Sequence, residues 1–297
     1  MSALGRLDVD VLRLDTDRFP TELRLSLWQG AGGDRAVLGG ADLRAISALW
    51  FRWVDVGHRL PPMEADLRAA ALDESVLLFE GLADALDVFQ VDPLPQCRRA
   101  GNKIYQHRLA AAVGLEVPRT LVSNDADEVR RFARALEGRP LVTKMNHAFG
   151  RDRPDQSFYE KVLTTPVSLE DLDGLELCPM IFQEHIDKAA ELRVTVVGHQ
   201  VFVAELEGPG HDWRADQDAR RWRPGRLPED IAVKLLTLLS RLGLNYAACD
   251  VLRTPEGRHV FLEANSHGMY GFVEEQTDLP ISPALADLLA GRAPRRV

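Results

Sequence analysis

The segment 244–265, LNYAACDVLRTPEGRHVFLEAN, constrains the chain more than any other stretch. Two apolar runs flank Pro255, Glu256 and Gly257, a turn sequence, and predict an antiparallel hairpin with strands over 246–252 and 259–264. Each run holds one carboxylate among apolar residues, Asp250 in AACDVL and Glu263 in VFLEAN. Burying a carboxylate without a partner is costly, so each needs a cation or a metal unless it points to water. If Thr254 faces His259 across the turn, Asp250 stands opposite Glu263, and Asn265 lies on the same face as Glu263. Two carboxylates and an amide oxygen then converge, a set of hard donors suited to Mg²⁺ held against phosphates. Taken alone, a half-exposed hairpin with both carboxylates in water explains the pattern equally well.

Composition narrows the classes. At 297 residues the chain exceeds one small core and has room for two or three subdomains. A net charge of -9 argues against a general nucleic-acid binder, which needs a basic face for phosphates. Cys97, Cys178 and Cys249 are scattered, odd in number and without metal or redox spacing, which points to a reducing cytoplasm. The first residues lack the apolar core of a signal peptide, and no apolar run is long enough to span a bilayer, so no membrane partner is expected.

Periodicity predicts strands over 8–14 and 45–53, a helix over 64–86 and a break at 91–96, where prolines stand at 93 and 95. A helix follows over 102–113, ending at Gly114, then a strand over 120–122, a helix to about 136 and a strand over 140–143 that ends at Lys144. Further strands are expected over 180–183, 192–197 and 201–205, and helices over 231–242 and 282–289. Such mixing without strict alternation predicts linked α+β units rather than one doubly wound sheet.

Several charged residues sit at element ends. Lys103 opens a helix and Lys144 closes a strand, and a compact ammonium suits polyphosphate oxygens. Glu184 ends a strand in QEHI and could accept from an adenine amino group. Glu191 and Arg193 share one strand face, fit for ribose or metal and for phosphates respectively. Each of these, viewed alone, is also satisfied as a solvated residue or an exposed ion pair.

Together these residues resemble the ATP-grasp superfamily. The runs 14–23 (LDTDRFPTEL), 48–53 (ALWFRW), 178–198 (CPMIFQEHIDKAAELRVTVVG), 212–214 (DWR) and 244–252 (LNYAACDVL) are similar to the ATP-grasp peptide maturases, the microviridin-type graspetide synthetases. The resemblance implies an α+β (α/β) ATP-grasp fold with two subdomains gripping ATP, preceded by a pre-ATP-grasp domain expected to be reduced here, unless the family's usual first strand and helix lie upstream of this start. The expected units are 1–97, 98–178 and 179–297. It further implies phosphorylation of Asp or Glu side chains in a ribosomal precursor peptide, and ring closure by Ser, Thr or Lys side chains. Lys103 and Lys144 would hold ATP phosphates, Glu184 and Ile186 adenine, and Glu191 ribose. Asp250, Glu263 and Asn265 would hold Mg²⁺, with Arg193 and Arg214 facing the transferring phosphoryl group and the acyl phosphate. The leader helix of the precursor would bind at Glu170, Asp171 and Asp173, and a homodimer is implied. Here Ser266, His267 and Gly268 follow Asn265, where the family commonly has proline next.

Two other readings compete. A RimK-like ligase, adding an amino acid to a protein tail or a metabolite, would have the same ATP site. A peptide-binding protein with a decayed ATP site would lose the carboxylates and lysines that are intact here.

Overall fold

The computed structural model describes residues 2–30, 35–52, 54–144, 165–207 and 221–297. Arg214 and the loop at 147–157 lie outside the described residues. After a short helix α1 (Ser2–Gly5), the stretch 8–14 forms no strand, contrary to its alternating pattern. Val11 and Leu12 stay exposed there, and alternation without a paired neighbour gives the backbone no ladder to join.

Strands β1 (Leu25–Trp28), β2 (Arg35–Leu38) and β3 (Ala41–Asp42) make a small antiparallel sheet that periodicity did not predict. The strand expected over 45–53 is shorter, β4 (Ala48–Trp50), and helix α2 (Ala65–Ala85) carries the chain to β5 (Phe89–Val91), which pairs with it in parallel. A parallel pair needs such a crossover, because a tight turn can only reverse direction. The break at 91–96 is the start of α3 (Leu94–Ala100), with proline tolerated in the first turn. Helix α4 (Lys103–Ala112) follows, capped by Asn102, whose side chain accepts from the Tyr105 N–H at 3.0 Å.

The middle sheet has the order β6 (Thr120–Ser123), β9 (Met180–Glu184), β7 (Leu141–Lys144), β8 (Thr165–Pro166), with helix α5 (Ala126–Ala135) against it. Val129, Leu136, Leu141, Leu175 and Phe182 form its core. Because β9 pairs with both β6 and β7, a division at 178 would cut through this sheet; we place it after Glu184. Glu170, Asp171 and Asp173 stand exposed on turns before β9, while Leu172 and Leu175 turn inward.

The last sheet runs β12 (Arg223–Pro224), β11 (Gln200–Glu207), β10 (Ala190–Val197), β13 (Tyr246–Arg253), β14 (His259–Asn265). Strand period two gives it two faces. Leu192, Val194, Val196, Ala247, Cys249 and Val251 pack against α4 and α6 (Glu229–Leu242). The opposite face carries Val197, Ala204 and Tyr246 against α7 (Gly271–Thr277) and α8 (Ile281–Leu289). The even–odd parity of β10 puts Glu191, Arg193 and Thr195 on this second face.

Candidate active site

The hairpin β13–β14 pairs Asp250 with Glu263, by a route the sequence did not suggest. At the turn Thr254 bonds Arg258 rather than His259, a register one residue short of the expected one. Arg253, Leu252 and Val251 then face His259, Val260 and Phe261, and a bulge next to Asp250 restores the expected pairing. The bulge also turns Glu263 onto the face of Asp250.

Two cations meet these carboxylates. Arg193, directly opposite Asp250 on β10, donates from Nη1 to Asp250 Oδ1 at 2.7 Å and from Nη2 to the Met269 carbonyl at 3.1 Å. Burial works against the Arg193 charge, but Asp250 outweighs it and holds its pKa above the usual arginine value. Lys103, at the first turn of α4, lies 3.2 Å from Glu263 Oε2. Lys144 ends β7, whose last pair is with Ile181 of β9. Its charge is felt at His107: burial lowers the His107 pKa, and Lys144 and Lys103 lower it further while Glu263 opposes them. Lys103, Lys144, Glu263 and His107 therefore share one neighbourhood, where the middle sheet meets α4 and β14. Asn265 is exposed at the end of β14, with its side-chain oxygen 3.3 Å from the His267 N–H.

Helix α4 fixes this floor through Gln106, which is 2% exposed. Its amide accepts from the Ala264 N–H at 2.8 Å and donates to the Ala264 carbonyl at 2.8 Å, and it also donates to the Ala100 carbonyl. A side chain thus stands in for a missing strand between Glu263 and Asn265. Gly268 closes the other edge: a Cβ there would lie 2.5 Å from Ala248 Cβ and 2.9 Å from Arg193 Nη2. Sequence reasoning missed both, since neither a glutamine within a helix nor a loop glycine announces its partner.

The nucleotide-side residues are more varied. Glu184 is buried, but its carboxylate accepts from the Arg119 N–H at 2.8 Å and from Arg139 at 2.9 Å. Its side chain ties the residue before β6 to the stretch just before β7. Ile186 follows, half-buried, on the segment linking β9 to β10. Glu191 pairs with Lys188 rather than with Arg193, and both side chains are largely buried. Lys188 was missed because a lysine in a connecting segment reads as solvated.

Among the described residues no three His, Cys, Asp or Glu side chains converge on a metal position. The candidate donors are instead Asp250, Glu263 and the Asn265 amide, few in number and all hard oxygens. That set fits a Mg²⁺ ion that takes its remaining ligands from water and phosphate.

Comparison with known proteins agrees with this geometry. The MvdD pre-ATP grasp domain matches residues 1–98. A probable alpha-L-glutamate ligase of Stenotrophomonas maltophilia is 29% identical over 182 residues, and the chain spans 60% of that relative's length. Among solved structures, the macrocyclase MdnC of Microcystis aeruginosa, bound with its precursor peptide MdnA, superposes with a TM-score of 0.90 at 36% identity, covering 98% of this chain and 94% of MdnC. A Chryseobacterium gregarium RiPP-associated ATP-grasp ligase, in complex with ADP and a leader and core peptide, gives 0.90 at 31%, covering 99% and 92%. Likeness of this extent, together with the paired carboxylate and cation floor, shows that the chain belongs to the RiPP-associated ATP-grasp ligases.

Proposed function

We propose that the chain uses ATP to phosphorylate Asp or Glu side chains of a ribosomal precursor peptide and closes ω-ester or ω-amide rings with Ser, Thr or Lys side chains. The observation that supports this most is the likeness, over nearly the whole chain, to two ligases solved with peptide bound. A carboxylate does not condense with a hydroxyl or amine in water, because its oxygen is a poor leaving group. Transfer of the γ-phosphoryl group to that oxygen gives an acyl phosphate and ADP. The hydroxyl or amine then attacks the carbonyl, phosphate departs, and the nucleophile loses its proton, so each ring removes the elements of one water.

Asp250, Glu263 and Asn265 would hold Mg²⁺, which neutralises phosphate charge during transfer. Lys103 and Lys144 would bind phosphate oxygens, and Glu191, oriented by Lys188, the ribose. Glu184 and Ile186 would meet adenine, the Glu184 segment being fixed by the bonds of its carboxylate to Arg119 and Arg139. Arg193 holds Asp250 in place and, with Arg214, would balance charge on the phosphorylated carboxylate. Catalysis of this kind is mostly positioning and electrostatics. Glu170, Asp171 and Asp173 are the surface we assign to the leader helix; a homodimer is carried over from the resemblance, and a cytoplasmic location from the scattered, odd-numbered cysteines.

The test is intact-mass spectrometry of the precursor peptide encoded beside this gene, incubated with enzyme, Mg²⁺ and ATP. Stepwise loss of one water per ring, with ADP formed, supports the proposal. The glutamate-ligase relatives favour one second reading, addition of an amino acid to an acceptor. A mass gain by one residue on such an acceptor, with no ring closure, would replace the first reading with the second.

A further inference from the structure

Arg52 comes from the N-terminal part of the chain, two residues past the end of β4, and is exposed. Its guanidinium lies over two rings at once, 5.5 Å from the Trp50 centroid and 5.2 Å from that of Tyr270. The rings are themselves stacked, with centroids 6.5 Å apart. Such a shelf holds a guanidinium in place without neutralising it. Among the described residues Arg52 has no carboxylate partner, although the chain carries 45 acidic residues against 36 basic ones.

The shelf belongs to the loop that closes the site. Tyr270 follows Met269, whose carbonyl receives Arg193 Nη2, and the ring of Tyr270 stands 6.1 Å from that of Tyr246, whose hydroxyl donates to the Gly268 carbonyl. Three buried polar atoms around this loop, Arg193 Nε, Thr195 Oγ1 and His267 Nε2, have no hydrogen-bond partner among the described residues. A charged, preoriented donor thus overhangs a rim whose own polar groups are not fully used.

We propose that Arg52 binds the acidic side chain of the peptide, the Asp or Glu carboxylate about to be phosphorylated, and delivers it to the rim above Arg193. This rests on the peptide-ligase reading and adds a specificity residue to it. A planar guanidinium matches a carboxylate in two parallel hydrogen bonds, which a lysine cannot reproduce.

The test uses the full-length enzyme and the peptide encoded beside its gene, with Arg52→Gln and Arg52→Lys variants. Loss of a charge-assisted hydrogen bond raises the peptide KM roughly 10- to 100-fold in Arg52→Gln and less in Arg52→Lys. ATP affinity by calorimetry and the melting temperature stay at the wild-type values. A peptide with its acceptor acids changed to Asn or Gln binds wild type as weakly as Arg52→Gln binds the unaltered peptide, and combining both changes adds no further loss. An unchanged peptide KM, fully additive losses, or a weakened ATP affinity would overturn the proposal while leaving the ligase reading intact. A wild-type enzyme that closes no ring on this peptide would overturn both.

Discussion

Glu263 occupies the place where charge matters most and volume least. Glu263→Gln keeps the side-chain size and removes the charge that faces Lys103, a partly buried pair 3.2 Å apart. The expected result is a folded protein with turnover reduced at least about 100-fold, the effect of losing one electrostatic group in a transition-state site. Normal ATP-dependent turnover, with far-UV dichroism unchanged, would remove Glu263 from the site. Asp92 is governed by burial. It is 1% exposed and accepts from the Asn245 and Tyr246 N–H groups, yet burial outweighs these donors and pushes its pKa up to about 6, above the usual 3.8. The native state therefore binds this proton more tightly than the unfolded chain, and the Asp92 contribution to stability falls as pH rises from about 4 to about 6. In Asp92→Asn that slope disappears, so the stability difference between the two proteins should shift against the wild type by about 3 kcal/mol across that window. Denaturant titrations at several pH values give the number; a difference independent of pH would contradict it.

Elements hold the site by means that sequence shows unevenly. The pairing of Asp250 with Glu263 was legible because both carboxylates interrupt apolar strands, but the bulge that makes it correct was not. Arg193 could be placed on its strand face by parity, whereas its partner could not, since nothing local joins residue 193 to residue 250. The strand expected over 8–14 failed because a period of two describes a surface and not a partner, and the 25–42 sheet was missed because its strands are too short to show a period. Helix α4 was readable from its cap and its Lys103, but the tie from Gln106 to β14 spans the whole site. Gln106→Leu should leave the Ala264 N–H and C=O without partners and destabilise the protein by about 2–4 kcal/mol. The remaining folded enzyme should show a raised Mg²⁺ requirement, read from activity against metal concentration; an unchanged requirement would mean that β14 holds its own position. Gly268→Ala tests the opposite edge, where a methyl group would press on Ala248 and Arg193. Turnover should fall at least about tenfold from displacement of Arg193, and wild-type turnover would show that the loop yields freely.

The proposed site draws on separate elements: the middle sheet supplies Lys144, the last sheet supplies Arg193, Asp250 and Glu263, and α4 supplies Lys103. Among the described residues no helix is long and apolar enough to cross a membrane. The family resemblance was legible in runs that now lie in these units, above all 178–198, because the same residues serve both the sheet and the site. What the runs could not show was how the N-terminal part reaches the loop at 266–270, a relation made by Trp50, Arg52 and Tyr270 from distant stretches. The central claim is that a peptide carboxylate leaves its oxygen on phosphate. The direct measurement is ring closure on a peptide whose Asp and Glu side chains carry heavy oxygen, followed by mass analysis of the phosphate released. Transfer of one labelled oxygen to phosphate for each ring closed is the predicted result, and unlabelled phosphate from a fully cyclised peptide would contradict the account.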